Sequence, residues 1–153
     1  MITVGSIPEA SADRTEDVTG HSGRHRRLVI ADDSAEMREL VRDAAGSRFD
    51  EVVEVADGRQ LFWQLLRTSF TTSSKPAPEL VVISDYKMPG YDGLQVLDAL
   101  RELDDSVATI LITAFPSEDV AARANELGAT LLAKPFTVSK LRNVLDDLLD
   151  SRG

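Results

Sequence analysis

"LVVISDYKMPGYDG", residues 80–93, decides how the rest of the chain is read. Leu80 to Ser84 form an apolar run that reads as a buried strand. Asp85 leaves its carboxyl end, and Pro89, Gly90 and Gly93 break the next residues into a turn. A carboxylate at the edge of a core is costly unless something pairs with it, so Asp85 points to a site rather than to a solvated surface.

Four other stretches repeat the pattern on either side: "RLVIAD" (27–32), "EVVEVAD" (51–57), "VATILIT" (107–113) and "TLLA" (130–133). Each of the five is followed by a segment of helical period. After the first, Ser34 caps a helix whose apolar stripe is Met37, Leu40, Val41 and Ala44. After the second, Asp57 precedes Gly58 as a cap, Leu61, Leu65 and Leu66 share a face, and Phe62 and Trp63 are expected to serve packing. "TTSSKPAPE" (71–79) is a polar, proline-containing loop. The third helix carries Leu94, Leu97, Leu100 and Leu103. The fourth starts at Ser117 and stops at Gly128. The fifth places Val138, Leu141, Val144, Leu145 and Leu148 on one side. Five strands each followed by a helix imply one parallel sheet covered on both faces, with right-handed crossovers.

Composition limits the alternatives. A chain of 153 residues, 42% hydrophobic, suits one globular domain. No stretch approaches the roughly 18 apolar residues of a membrane span, and no signal peptide is recognisable, so a cytoplasmic protein without membrane insertion is expected. There is no Cys, hence no disulfide, thiolate metal site or cysteine nucleophile. The net charge of −9 disfavours direct nucleic-acid binding, which depends on cations neutralising phosphates. Residues 1–26 read as a flexible N-terminal tail and 27–150 as the folded domain, with no output domain after it. "GRHRR" (23–27) reads as a solvated linker rather than a binding patch, and His21 and His25 as tail residues rather than metal ligands.

In a parallel sheet of this type, ligands gather outside the carboxyl ends of the strands. Asp32 and Asp33 stand after the first strand, Asp85 after the third, Thr113 at the end of the fourth and Lys134 after the fifth. All five would face one crevice. Carboxylates about 4 Å apart repel by roughly 4 kcal/mol per pair at an effective dielectric near 20, so three of them should hold a proton or recruit a cation. With oxygen ligands and no His or Cys in the group, Mg²⁺ fits. A Lys ammonium and a Thr hydroxyl complete a set suited to a phosphoryl group, with the Asp85 carboxylate as nucleophile for an acyl phosphate.

The constellation resembles the receiver domain of two-component response regulators, of the stand-alone chemotaxis type. "VIADDSAEMREL" looks like its first strand with the acidic pair, "VVISDYKMPGYDGL" like its phosphoacceptor strand and loop, "ILITAF" like the strand ending in a hydroxyl, and "LLAKPF" like its Lys-Pro ending. The resemblance implies a flavodoxin-like, doubly wound three-layer α/β sandwich with strand order 2-1-3-4-5. It implies that Asp85 accepts phosphate from a sensor histidine kinase or histidine phosphotransfer protein, and that the protein is a signalling phosphoacceptor rather than an enzyme. Asp33 and Asp85 would ligate Mg²⁺, Asp32 mostly through water, with the Lys87 backbone carbonyl completing the set. Thr113 would bind a phosphoryl oxygen, Lys134 would pair with it, and the Lys134–Pro135 bond would be cis.

Signalling would run through protein contact at the fourth helix, fifth strand and fifth helix, through phosphorelay, or through a phosphorylation-dependent dimer. Leu131 stands where the family usually carries an aromatic ring, and Phe115 is a candidate to replace it. Lys87 and Phe115 are expected to shield the acyl phosphate from water. Two other functions share part of the pattern. A Mg²⁺-dependent aspartyl-phosphate phosphohydrolase would carry a second acid where Lys87 stands. A receiver fragment of a transcriptional regulator would need an output domain.

Overall fold

The computed structural model describes residues 23–70, 78–104 and 106–152. Among these described residues five strands, β1 (Arg26–Ala31), β2 (Glu51–Val55), β3 (Glu79–Asp85), β4 (Ala108–Thr113) and β5 (Thr130–Ala133), alternate with five α-helices. These are α1 (Ala35–Ala45), α2 (Gly58–Phe70), α3 (Gly93–Arg101), α4 (Glu118–Glu126) and α5 (Val138–Arg152). All pairings are parallel and the sheet order is β2-β1-β3-β4-β5, as expected.

Strands buried on both faces need apolar side chains at every position, and β3 and β4 are buried almost end to end. Alternate residues feed two cores. Leu28, Ile30, Val81, Ile83, Ile110 and Ile112 meet α1 and α5 through Val41, Ala44, Leu141 and Leu145. Val29, Ala31 and Val82 meet α2 and α3 through Leu61, Leu65, Val96 and Leu100. Each fully buried Leu or Ile contributes about 1.5–3 kcal/mol. Helix starts are fixed locally: Ser34, Asp92 and Ser117 accept the N–H three residues on, and Asp57 accepts from Gln60 N at 2.8 Å.

Three packing expectations need correction. Leu40 is exposed, and Ala45 joins Val41 and Ala44 on the buried stripe of α1. Leu103 lies beyond the end of α3 and is exposed; Val96, not Leu94, joins Leu97 and Leu100 as fully buried. Trp63 stands on the outer side of α2, exposed, while Phe62 packs against the second core. Helical spacing names a face, but the width of the covered arc depends on what lies against it.

β1 begins at Arg26, so the last residues of "GRHRR" belong to the sheet. Arg26 Nε stands 3.0 Å from Glu79 and Arg27 Nε 2.7 Å from Glu51, while His25 lies beside Asp50 and Glu51. Residues 1–22, including His21, and residues 71–77 of the expected loop lie outside the described residues. Among the described residues no helix is long and apolar enough to cross a membrane.

Candidate phosphoacceptor site

The carboxyl end of the sheet assembles all five polar residues picked out in the sequence. Asp32 follows β1 directly, and its N–H donates to Val55 O at 3.2 Å, tying the turn to β2. Its Oδ1 accepts from Ser34 N at 2.9 Å, and its main-chain carbonyl accepts from Arg38 at 2.7 Å. Only 3% of Asp32 is exposed, and its Oδ2 is buried without a hydrogen-bond partner. Asp33, next in the turn, is exposed.

Asp85 is the last residue of β3, not the first of the loop, and is 8% exposed. Two bonds steady the backbone around it: Tyr86 N–H to Ile112 O at 2.7 Å, and Ser84 Oγ to Asp85 O at 2.8 Å. Thr113 ends β4, buried, with its hydroxyl accepting from Phe115 N at 3.1 Å. Lys134 follows β5; its N–H donates to Thr113 O at 2.8 Å, its bond to Pro135 is cis, and its Nζ stands 3.3 Å from Asp85 Oδ1.

Asp32, Asp33 and Asp85 each bring a carboxylate oxygen to within 4.8 Å of the others. Burial is the main reason the Asp85 carboxyl titrates above its ordinary value, opposed by the Lys134 ammonium and reinforced by Asp33. Burial also raises Asp32, partly offset by the Ser34 N–H and reinforced by Asp85. A group of acids held this close, one with an oxygen lacking any partner, is suited to a hard divalent cation with oxygen ligands. The donor set therefore fits Mg²⁺.

Beside the carboxylates lies a crevice of about 470 Å³, lined by Asp85, Lys87, Thr113, Phe115 and Lys134 among others. The Phe115 ring is 82% exposed and stands at the mouth, and the Lys87 ammonium lies 4.8 Å over the Tyr86 ring. The expected shield against water is therefore an open rim. Leu131 is half-buried on β5.

Sequence reasoning missed Arg38. Besides holding the Asp32 carbonyl, its Nε stands 3.3 Å from Glu54, which Arg42 also approaches at 2.7 Å. A cation in the first turn of a helix opposes the macrodipole, and that misfit was the available signal.

Comparison with known proteins agrees with this fold. Residues 28–146 match the family described as response regulator receiver domain. Sporulation initiation phosphotransferase F of Bacillus subtilis is 28% identical over 82% of this chain and 94% of its own length. A probable chemotaxis protein CheY of Rhizobium etli is 32% identical over 78% and 89%. Among solved structures, the chemotaxis response regulator CheY4 of Vibrio cholerae superposes with a TM-score of 0.66 at 24% identity, covering 81% of this chain and 98% of its own.

Proposed function

The chain belongs to the response regulator receiver domain family, whose members act as phosphoacceptors in two-component signalling, and from that premise we propose that Asp85 is the residue phosphorylated. One observation carries the assignment: a carboxylate at the sheet edge, 3.3 Å from an ammonium and grouped with two further acids.

An Asp85 carboxylate oxygen attacks phosphorus, forming the O–P bond of an acyl phosphate. The bond from phosphorus to the donor atom breaks, and the donor leaves with the electron pair. Lys134 offsets charge on a phosphoryl oxygen, and the Thr113 hydroxyl donates to another after releasing its present role as acceptor for Phe115. Arg38 and Ser34 keep Asp32 in place. Mg²⁺, held by Asp33, Asp85 and the Lys87 carbonyl, with Asp32 acting through water, would supply charge neutralisation of the phosphoryl oxygens.

The donor is a phosphohistidine of a sensor kinase or phosphotransfer protein, and the chain meets it in the cytoplasm. Relay is supported by similarity to a sporulation phosphotransferase, and output through protein contact by similarity to a chemotaxis protein. The face formed by α4, β5 and α5 is the proposed contact surface and the place for a phosphorylation-dependent dimer. Acetyl phosphate with Mg²⁺, followed by intact mass, tests the assignment. Wild type should gain one phosphoryl group and Asp85→Asn none; an equal gain by the variant would overturn it.

A further inference from the structure

Behind the phosphoacceptor, where the sheet meets α3, one buried hydroxyl has nothing to bond. Thr109 on β4 is 4% exposed, and its Oγ1 is buried without a hydrogen-bond partner among the described residues. Two side-chain atoms there share that condition, and the other, Asp32 Oδ2, belongs to the cation site. A hydroxyl enclosed in this way gives up the bonds it made to solvent in the unfolded chain, and leaving it unsatisfied is costly.

A small cavity lies against it. Thr109 lines this space together with Ser84, Gly93 and apolar side chains of α2 and α3 such as Leu65, Val96 and Leu100. β3 and β4 pair Val82 with Thr109, and Ser84 stands two residues beyond Val82, so the two hydroxyl side chains are diagonal neighbours on one face of the sheet. The cavity has a volume of about 10 Å³, the size at which one water molecule begins to fit.

We propose that this cavity is a binding site for a single water molecule, which accepts from the Thr109 hydroxyl and donates to Ser84 Oγ. Ser84 has one O–H, and it is committed to Asp85 O at 2.8 Å, so its oxygen can only accept. Thr109 has an O–H with no acceptor. One water between the idle donor and the open acceptor satisfies both, and two polar partners are enough to hold it. Size and charge exclude other occupants. Nothing larger than water fits the space, and none of the described residues lining it is charged, so an ion would be buried there without a counter-charge.

The chain of bonds ends at the phosphoacceptor. Thr109 O–H to water, water to Ser84 Oγ and Ser84 O–H to Asp85 O run in one direction, each donor meeting one acceptor. Gly93 closes the other side of the same carbonyl: a Cβ there would fall 2.9 Å from Asp85 O and 3.3 Å from Ser84 Oγ, so a glycine at the start of α3 lets the three groups approach. Holding the Ser84 hydroxyl holds the last peptide of β3, which makes Thr109 a positioning residue for Asp85. That role rests on Asp85 as the phosphoacceptor; the water site does not.

A high-resolution crystal structure of the unphosphorylated full chain tests the site. One spherical density peak is expected about 2.5–3.0 Å from both Thr109 Oγ1 and Ser84 Oγ. Thr109→Ser should keep the peak and Thr109→Val should lose it. The rate of phosphoryl gain from acetyl phosphate should fall about threefold in Thr109→Val, on the scale of one net hydrogen bond, and return in Thr109→Ser. A wild-type cavity without a peak, or a peak within reach of only one of the two hydroxyls, overturns the site. Loss of the peak in Thr109→Val with an unchanged rate overturns the positioning role. Failure of Asp85 as phosphoacceptor shows itself separately, as equal phosphoryl gain by Asp85→Asn, and leaves the density peak in place.

Discussion

Lys134 Nζ stands 3.3 Å from Asp85 Oδ1, although Lys134 follows β5 and Asp85 ends β3, with β4 between the two strands. The ammonium crosses that strand at its carboxyl end, where Thr113 O accepts the Lys134 N–H at 2.8 Å. One cation thereby lies at the acid where negative charge must be added.

Lys134→Met keeps an unbranched side chain one atom shorter and removes its charge. The rate of phosphoryl gain from acetyl phosphate should fall by about 10²-fold, the scale for losing one preorganised electrostatic partner. Intact mass against time measures it. A rate within twofold of wild type would separate Lys134 from the transfer step.

Asp32 and Asp85 bind protons more tightly in the fold than the ordinary carboxylate value of 3.8 allows, because burial disfavours their charge. Between 3.8 and those raised values the native state holds more protons than the unfolded chain, so their contribution makes stability fall as pH rises. The penalty is complete above the raised values and vanishes below 3.8. With a chelator present, Asp32→Asn should therefore melt about 2–4 °C higher than wild type at pH 7. That gain should shrink as the pH falls through the window. Thermal unfolding at a series of pH values checks the sign, and a pH-independent difference would show that the buried charge of Asp32 is not its origin.

Magnesium should stabilise the wild type by mass action, by about 2.7 kcal/mol at a hundredfold excess over Kd. Asp33→Asn should lose most of this gain while unfolding normally in chelator. Urea titrations with and without Mg²⁺ make the comparison. Equal gains in both proteins would remove Asp33 from the ligand set.

Gly58→Ala tests how tightly α2 holds the loop after Asp85. A Cβ at Gly58 would overlap the main-chain carbonyl of Tyr91, and backbone cannot rotate away as a side chain can. A loss of about 1–3 kcal/mol is expected from overpacking, measured by denaturant unfolding. Because Tyr91 and Asp85 flank the same loop, the acetyl phosphate reaction should slow too.

The alternation of apolar runs and helical stripes determined the five strands, the five helices and the caps at Ser34, Asp57 and Ser117, because those features depend on neighbours within a few residues. It also placed Asp32, Asp33, Asp85, Thr113 and Lys134 at strand ends, and in a parallel sheet all such ends share one edge. Distance and burial were decided only by the tertiary structure. Strand order sets Lys134 against Asp85, Arg38 reaches back across its turn to the Asp32 carbonyl, and one Asp32 oxygen is enclosed while Asp33 next to it stays in water. The same holds for Leu40, Leu103 and Trp63, which local pattern assigned to packing and which the fold leaves outside. Periodicity is a property of one helix or strand, whereas the depth of a side chain, and with it the charge it can carry, depends on elements distant in the chain that close over it.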